Sequence, residues 1–337
     1  MGFLMLDNIA HINDDIHQKH KATEIYENDV LLNITGASIG RTAVATKELE
    51  GGNVNQHVCI IRTNSKVNPK FLCDYIQTQR IQNHIKSLQT GGSREGLNFE
   101  QIRSFPISLP SINEQNKLTC LLDKINERIA TQVRLIEDLK KLRCAIVEKM
   151  FKQSKANGRL GDFIEQVSVR NKNGLYSNVL SVSNKQGFVK QSEQFEDRTV
   201  ASDDTSNYKI VKRNNFAYNP ARINVGSIAR LTKFDVGIVS PMYVCFRTKA
   251  SIIPEYMEAF FTSQQFFYEM MKRLEGSVRL CLSYEGLCNI PVYIPDMNKQ
   301  IAMGQNISLI LSKIGLEIEY LGRLHQQKQY LLRKMFI

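Results

Sequence analysis

Four groups of residues in this chain have the types and spacing that could support chemistry. Tyr218-Asn219-Pro220 offers an asparagine beside a proline, the start of an Asn-Pro-Pro-aromatic grip on an exocyclic amine. Ala221 and Arg222 stand where the second proline and the aromatic would be needed, and no FxGxG-type cofactor loop precedes them. A strand ending in a turn is the expected reading. Gly36-Ala-Ser-Ile-Gly40-Arg41-Thr is not a phosphate-cradling P-loop, because its second glycine comes one residue early and arginine replaces lysine. His17 and His20 have helical i, i+3 spacing but no cysteine cluster beside them, so a solvated surface is expected and no metal is assigned. The six histidines sit in no motif that would pair one with a serine or cysteine nucleophile. Catalysis by the chain itself is not expected.

Binding is better served. Arg94 and Arg279, with Ser93 and Ser277 beside them, lie in two glycine-containing loops that each precede a short segment opened by Asn98 or Ser283. A loop arginine there suits a phosphate or a guanine edge, and an ion pair to Glu100 or Glu285 is the competing reading. Further polar side chains follow a strand in each half: Arg41 and Lys47 in the first, Arg222, Asn224 and Arg230 in the second. With 44 Lys plus Arg against 33 Asp plus Glu, the net charge of +11 suits a polyanionic partner, nucleic acid before membrane surface. No apolar run is long enough to span a bilayer, and the opening residues lack a basic signal-peptide start. Seven cysteines without a CxxC pair are expected as reduced thiols in a cytoplasmic protein.

What positions these loops is a duplication. Residues 91–110 align without gaps on residues 276–295 at an offset of 185, pairing Arg94 with Arg279, Leu97 with Leu282, Glu100 with Glu285, and Pro106 and Pro110 with Pro291 and Pro295. The same offset carries 54–63 onto 239–248, and an offset of 186 carries Asn28–Gly40 onto Asn214–Gly226. Strands are expected at 29–34, 42–47 and 58–63, with a helix from Pro69 to about Lys86 and its copy from Pro254 to about Leu274.

Each copy ends in a long helix. After Pro110, Ser111 and Glu114 form a capping box, and no proline or glycine interrupts the run to Phe151, which gives a helix of roughly 60 Å. Leu122, Ile125, Ile129, Ile136, Leu139, Ile146 and Met150 mark a heptad seam; Ile307, Ile310, Ile314, Leu321, Leu324, Leu331 and Met335 mark its copy. The polar exceptions also repeat, Gln132 with Glu317 and Arg143 with Lys328. Two such seams predict an intramolecular antiparallel coiled coil about a pseudo-twofold axis, with Gln132 and Glu317 near its middle, either as a register-fixing contact or merely solvated. The fold class expected is α+β, with two mixed α/β units and two long helices. The helices are basic, +5 over residues 110–159 and +4 over 298–337, as a solvated surface, a DNA-facing side or a partner-binding face would be.

This layout resembles the specificity subunit of type I restriction-modification systems. The matching residues are Leu97-x-Phe99-Glu100-x-Ile102-x-x-Phe105-Pro106, then Pro110-Ser-x-Asn113-Glu-Gln115 and the helix ending Lys149-Met150-Phe151. The second set is Leu282-x-Tyr284-Glu285-x-Leu287-x-x-Ile290-Pro291, then Pro295-x-x-Asn298-Lys-Gln300, ending Lys334-Met335-Phe336. The resemblance implies target-recognition domains at 1–110 and 159–296, spacer helices at 111–153 and 297–337, and a linker at 154–158. It further implies a non-catalytic subunit that reads a bipartite double-stranded DNA target and docks two methyltransferase subunits, which supply cofactor and chemistry, with restriction subunits joining the full complex. By the 185 offset, residues 159–185 have no counterpart after Met1, so the first unit is expected to lack roughly its first 26 residues. A coiled-coil scaffold, or a subunit reading one half-site only, is the alternative reading.

Overall fold

The computed structural model describes residues 9–89, 96–152, 155–184, 186–191, 204–277 and 279–336. In chain order the first half contains α1 (Asp14–Lys19), β1 (Val30–Asn33), β2 (Thr42–Val44), β3 (Val58–Ile61), α2 (Pro69–Ile76), α3 (Gln79–Gln89), α4 (Phe99–Arg103) and the long α5 (Ile112–Lys152). The second half contains β4 (Gly158–Arg159), α6 (Leu160–Phe163), β5 (Ile164–Gln166), β6 (Leu180–Ser183), β7 (Gly187–Lys190), β8 (Lys209–Lys212), β9 (Phe216–Tyr218) and β10 (Ile228–Arg230). It continues with β11 (Val236–Val239), β12 (Val244–Thr248), α7 (Pro254–Phe261), α8 (Gln264–Met271), α9 (Tyr284–Cys288), β13 (Pro291–Val292) and the long α10 (Met297–Met335). Contacts divide the chain into unit 1, Met1–Arg134 with Ile318–Ile337, and unit 2, Leu135–Glu317. Each long helix therefore contributes residues to both units.

In unit 1 an antiparallel sheet of order β2-β1-β3 carries Val30 and Leu32 into a core with Phe71, Tyr75, Ile76, Ile81 and Leu97. Unit 2 repeats this frame as β10-β9-β12, with Leu32 opposite Thr42 in the first sheet and Tyr218 opposite Ile228 in the second. Asn28 and Asn214, repeat mates just ahead of the central strands, are the two described non-glycine residues with positive φ, 70° and 69°. Asparagine tolerates that left-handed conformation better than other side chains, so the strand entry is built the same way twice. Unit 2 adds β5 beside β12, and the pairs β11-β8, β6-β7 and β13-β4.

The helix expected from Pro69 to about Lys86 is two helices, as is its copy. Thr78 Oγ1 donates to the Tyr75 carbonyl at 2.7 Å and Ser263 Oγ to the Phe260 carbonyl at 2.7 Å. Ser263 then caps α8 by accepting from the Phe266 amide at 3.1 Å. A hydroxyl that bonds the preceding turn and starts the next one offers the backbone an alternative to continuing the helix.

The start of each long helix is fastened to its unit by a buried glutamine. Gln115, 0% exposed, accepts from the Asn68 amide at 2.9 Å and donates to the carbonyls of Lys66 and Pro110 at 3.0 and 2.9 Å. Gln300, 1% exposed, accepts from the Ile253 amide at 3.0 Å and donates to Ser251 and Pro295 at 3.1 and 2.9 Å. A buried amide with its bonds satisfied is specific in geometry, because any shift leaves polar groups unpaired.

The end of the opposite helix is held by an aromatic ring. In unit 1, Phe336 lies 5.1 Å from the Phe71 ring and 5.5 Å from the Tyr75 ring. In unit 2, Phe151 lies 5.3 Å from Tyr256 and 5.2 Å from Phe260. These offset and edge contacts bury large apolar surface. In unit 1, Leu122 packs with Leu332 and Phe336, and Ile125 and Ile129 pack with Leu324, Leu321 and Leu331, so the two helix segments run antiparallel. Lys328 Nζ donates to Asn126 Oδ1 across that seam at 2.7 Å. In unit 2, Ile146, Val147, Met150 and Phe151 share a core with Ile307 and Met303, again pairing the end of one helix with the start of the other. Of the remaining seam positions, Gln132, Ile136 and Ile314 are buried, and Leu139, Ile310 and Met335 are half-buried. Glu317 is half-buried and paired with Lys313 at 2.5 Å.

Candidate nucleic-acid interface

Each unit forms one corner from two loops joined by a backbone bond. In unit 1 the Leu97 amide donates to the Ile34 carbonyl at 2.8 Å; in unit 2 the Leu282 amide donates to the Pro220 carbonyl at 3.1 Å. These are repeat-equivalent bonds. They join the turn after the central strand to the loop before the short α4 or α9.

In unit 2 that turn runs from Asn219 to Gly226. Asn219 Oδ1 accepts from the Ala221 amide at 3.0 Å, and Gly226, at φ 89°, closes a 3-10 turn over Ile223–Val225. A left-handed closing position favours glycine. The Tyr218 hydroxyl donates to the Leu282 carbonyl at 3.1 Å, and burial pushes its pKa up. Both polar groups of the Tyr-Asn-Pro sequence thus serve the turn. Arg222 projects from it exposed, and Asn224 is half-buried within it.

The second loop is a hairpin in which Glu275 and Cys281 exchange backbone bonds of 2.9 and 2.8 Å. Ser277 and Arg279 stand exposed between them. Arg279 makes no ion pair with Glu285 or any other carboxylate among the described residues. Arg222 is equally without a carboxylate. Two exposed guanidinium groups are thus carried on loops that share a bond at their base, a side-chain type suited to phosphates or base edges.

Other expected residues have different duties. Arg230 is 10% exposed and held between Glu255 and Glu258, with Asn214 Oδ1 at 3.1 Å, so its guanidinium is committed to the interior. Burial raises the Glu258 pKa against the lowering pull of Arg230. Asn98 and Ser283 are helix caps: Asn98 accepts from the Gln101 amide at 2.8 Å and Ser283 from the Gly286 amide at 3.0 Å. Their side chains fix the loop ends by satisfying amides that the helix start leaves open. Arg41 is exposed at the end of the unit 1 turn, whose Gly40 carbonyl accepts from Gln82 at 3.0 Å and Gln77 at 3.2 Å. Lys47 is exposed on a neighbouring 3-10 turn. Ser93 and Arg94 lie outside the described residues.

An open cleft of about 640 Å³ in unit 1 sets Lys70 and Lys124 against Asp123 and Glu127, and Lys70 is bonded to Asp123 at 2.7 Å. His17 Nδ1 lies 2.7 Å from Asn53 Oδ1, and among the described residues no group of three His, Cys, Asp or Glu side chains is arranged to hold a metal. No described helix is long and apolar enough to cross a membrane.

Residues 6–141 match a family model described as the type I restriction modification DNA specificity domain. A stretch of 127 residues is 24% identical to the type I restriction enzyme EcoBI specificity subunit of Escherichia coli. That match covers 37% of this chain and 26% of the relative, so it spans about a quarter of the relative's length. The fold is similar over 94% of the chain and 84% of the solved type I restriction-modification S subunit from M. genitalium, with a TM-score of 0.56 at 18% identity. It is also similar, over 93% of this chain and 82% of the other, to a structure concerned with complex assembly and conformational transition of the type I R-M system, with a TM-score of 0.59 at 15% identity. A specificity-domain match in the first repeat and a shared fold along nearly the whole length make the chain similar to type I restriction-modification specificity subunits.

Proposed function

We propose that this chain reads a bipartite double-stranded DNA target, one half with each unit, and brings methyltransferase and restriction subunits to it. The observation that carries this reading is one loop corner built twice on the same frame, with a different exposed cation on the turn of each copy, Arg41 in unit 1 and Arg222 in unit 2. Phosphate contacts from these cations supply affinity that falls with salt, and loop side chains at base edges supply sequence choice. The target-recognition domains at 1–110 and 159–296 would differ in sequence preference because their loops differ on a shared three-stranded frame. The helices at 111–153 and 297–337 act as the spacer that fixes the gap between half-sites, and their outer faces dock two methyltransferase subunits. Cofactor binding and chemistry belong to those partners.

Co-expression with a cognate modification subunit, followed by methylation mapping of genomic DNA, tests the reading. A two-part motif with a fixed gap is the expected result. A single unsplit motif would leave one unit as the only reader, and the absence of any motif would refute DNA specificity.

A further inference from the structure

Helix α8 of unit 2 buries Phe266 and Met270 but leaves Phe267, Tyr268 and Met271 51%, 62% and 41% exposed. Two adjacent exposed aromatics are costly to keep in water and call for an occupant. At the equivalent positions unit 1 has Gln82, Asn83 and Lys86, all polar. Unit 1 also indicates where this face points, because Gln82 Nε2 reaches the Gly40 carbonyl in the turn that ends at Arg41. In unit 2, α8 packs against the equivalent 3-10 turn, Ile223–Val225, which follows Arg222 directly. Its C-terminal end leads within a few residues into the Glu275–Cys281 hairpin that carries Arg279. Val225 and Leu280 are exposed apolar side chains on those two loops. Lys272, paired with Glu269 at 2.8 Å, lies 3.8 Å above the Tyr268 ring, so one cation borders the patch.

We propose that Phe267 and Tyr268, with Met271, form an apolar ledge that enters a groove of the unit 2 half-site and discriminates bases by packing against or partly opening one base step. Unit 1 has no such ledge, so the two halves would be read by different physics. Apolar side chains flanked by arginine and lysine fit a DNA occupant: the cations hold the phosphates while the rings meet base faces or thymine methyls. The inference rests on the proposed DNA-reading function.

The test uses the full chain with its modification subunits and a duplex library randomised in both half-sites. The variant is F267Q/Y268N, which installs the residues unit 1 carries on the same frame. The expected result is a loss of preference of about tenfold at one or two adjacent positions in one half-site only, with the other half-site and the salt dependence unchanged. As a second readout, 2-aminopurine placed at those positions should brighten on binding the wild type and not the variant. Selection by the wild type with unchanged selection by the variant would overturn the ledge and leave DNA reading intact. Loss of the modification subunit without loss of sequence preference would also overturn it, since the patch would then be a protein-docking surface. If the wild type selects no sequence, the DNA-reading function itself fails. Tyr268→Phe, which keeps the ring, should retain the preference and guards against a folding artefact.

Discussion

Replacing Asp74 by asparagine should stabilise unit 1 in mild alkali and do less in acid. Asp74 lies on α2 with 1% of its surface exposed, and neither carboxylate oxygen has a hydrogen-bond partner. Burial pushes its pKa from 3.8 up to about 6; Lys328 and Lys70 pull it down and Asp123 pushes it further up. A carboxyl whose folded pKa is raised favours folding when protonated. That contribution is complete below the unfolded pKa of 3.8 and is lost as pH rises through about 6. The gap between those values corresponds to about 3 kcal/mol of destabilisation once the group is ionised in both states, an upper bound for what asparagine would recover. Urea unfolding of Asp74→Asn and wild type at pH 4.5 and pH 8, with hydrogen exchange followed at the α2 amides, measures both ends. The expected gain at pH 8 is on the order of 1–3 kcal/mol, with about a third of that at pH 4.5. A variant that is less stable at pH 8 would refute the reasoning, because it would mean that attraction to Lys328 outweighs the cost of burial.

Further expectations follow from the fasteners and the loops. Gln115→Ala should cost about 2–5 kcal/mol, since it strands one amide and two carbonyls, and denaturant midpoints measure it. Phe336→Ala should cost about 3–5 kcal/mol, read by hydrogen exchange as loosening around Phe71 and Tyr75 in unit 1. Arg222→Ala and Arg279→Ala should each reduce the slope of log K against log salt by about 1 if the side chain contacts a phosphate; a full slope with relaxed preference in one half-site would instead assign it to a base edge. Ile129→Asp with Ile314→Asp would put a charge into the helix seam of each unit, and a shifted or broadened gap in the methylated motif is the expected readout.

The frame was legible in the sequence because the duplication prints it twice. A run of twenty aligned residues and a heptad pattern that recurs with its polar exceptions are long-range signals that local propensity cannot imitate. Gln115 and Gln300 also stood out as repeated positions, although nothing in a helix-start pattern says that a glutamine will be buried and bonded three ways. The extra strands of unit 2 were less legible, because β6, β7, β8 and β11 are four residues each and have no described counterpart in unit 1. The breaks at Thr78 and Ser263 were missed since one hydroxyl inside an apolar run looks tolerable until its bond to the previous turn is seen. Among the loop residues, Arg230 shows the limit of reading charge alone. Its two acidic partners lie 25 and 28 residues away on α7, a distance that only the fold closes. Asn98 and Ser283 could have been recognised as caps from the residues that follow them.

The two halves of this protein are not two successive stretches of chain. Unit 1 takes its last twenty residues from the far end of the polypeptide, and Phe336 completes the packing around Phe71 and Tyr75. During synthesis, therefore, residues 9–134 cannot finish packing until residues 318–336 have left the ribosome, whereas unit 2 is complete by Glu317. A break or nick between Glu317 and Phe336 would damage unit 1 first and spare unit 2, the unit encoded next to the lesion.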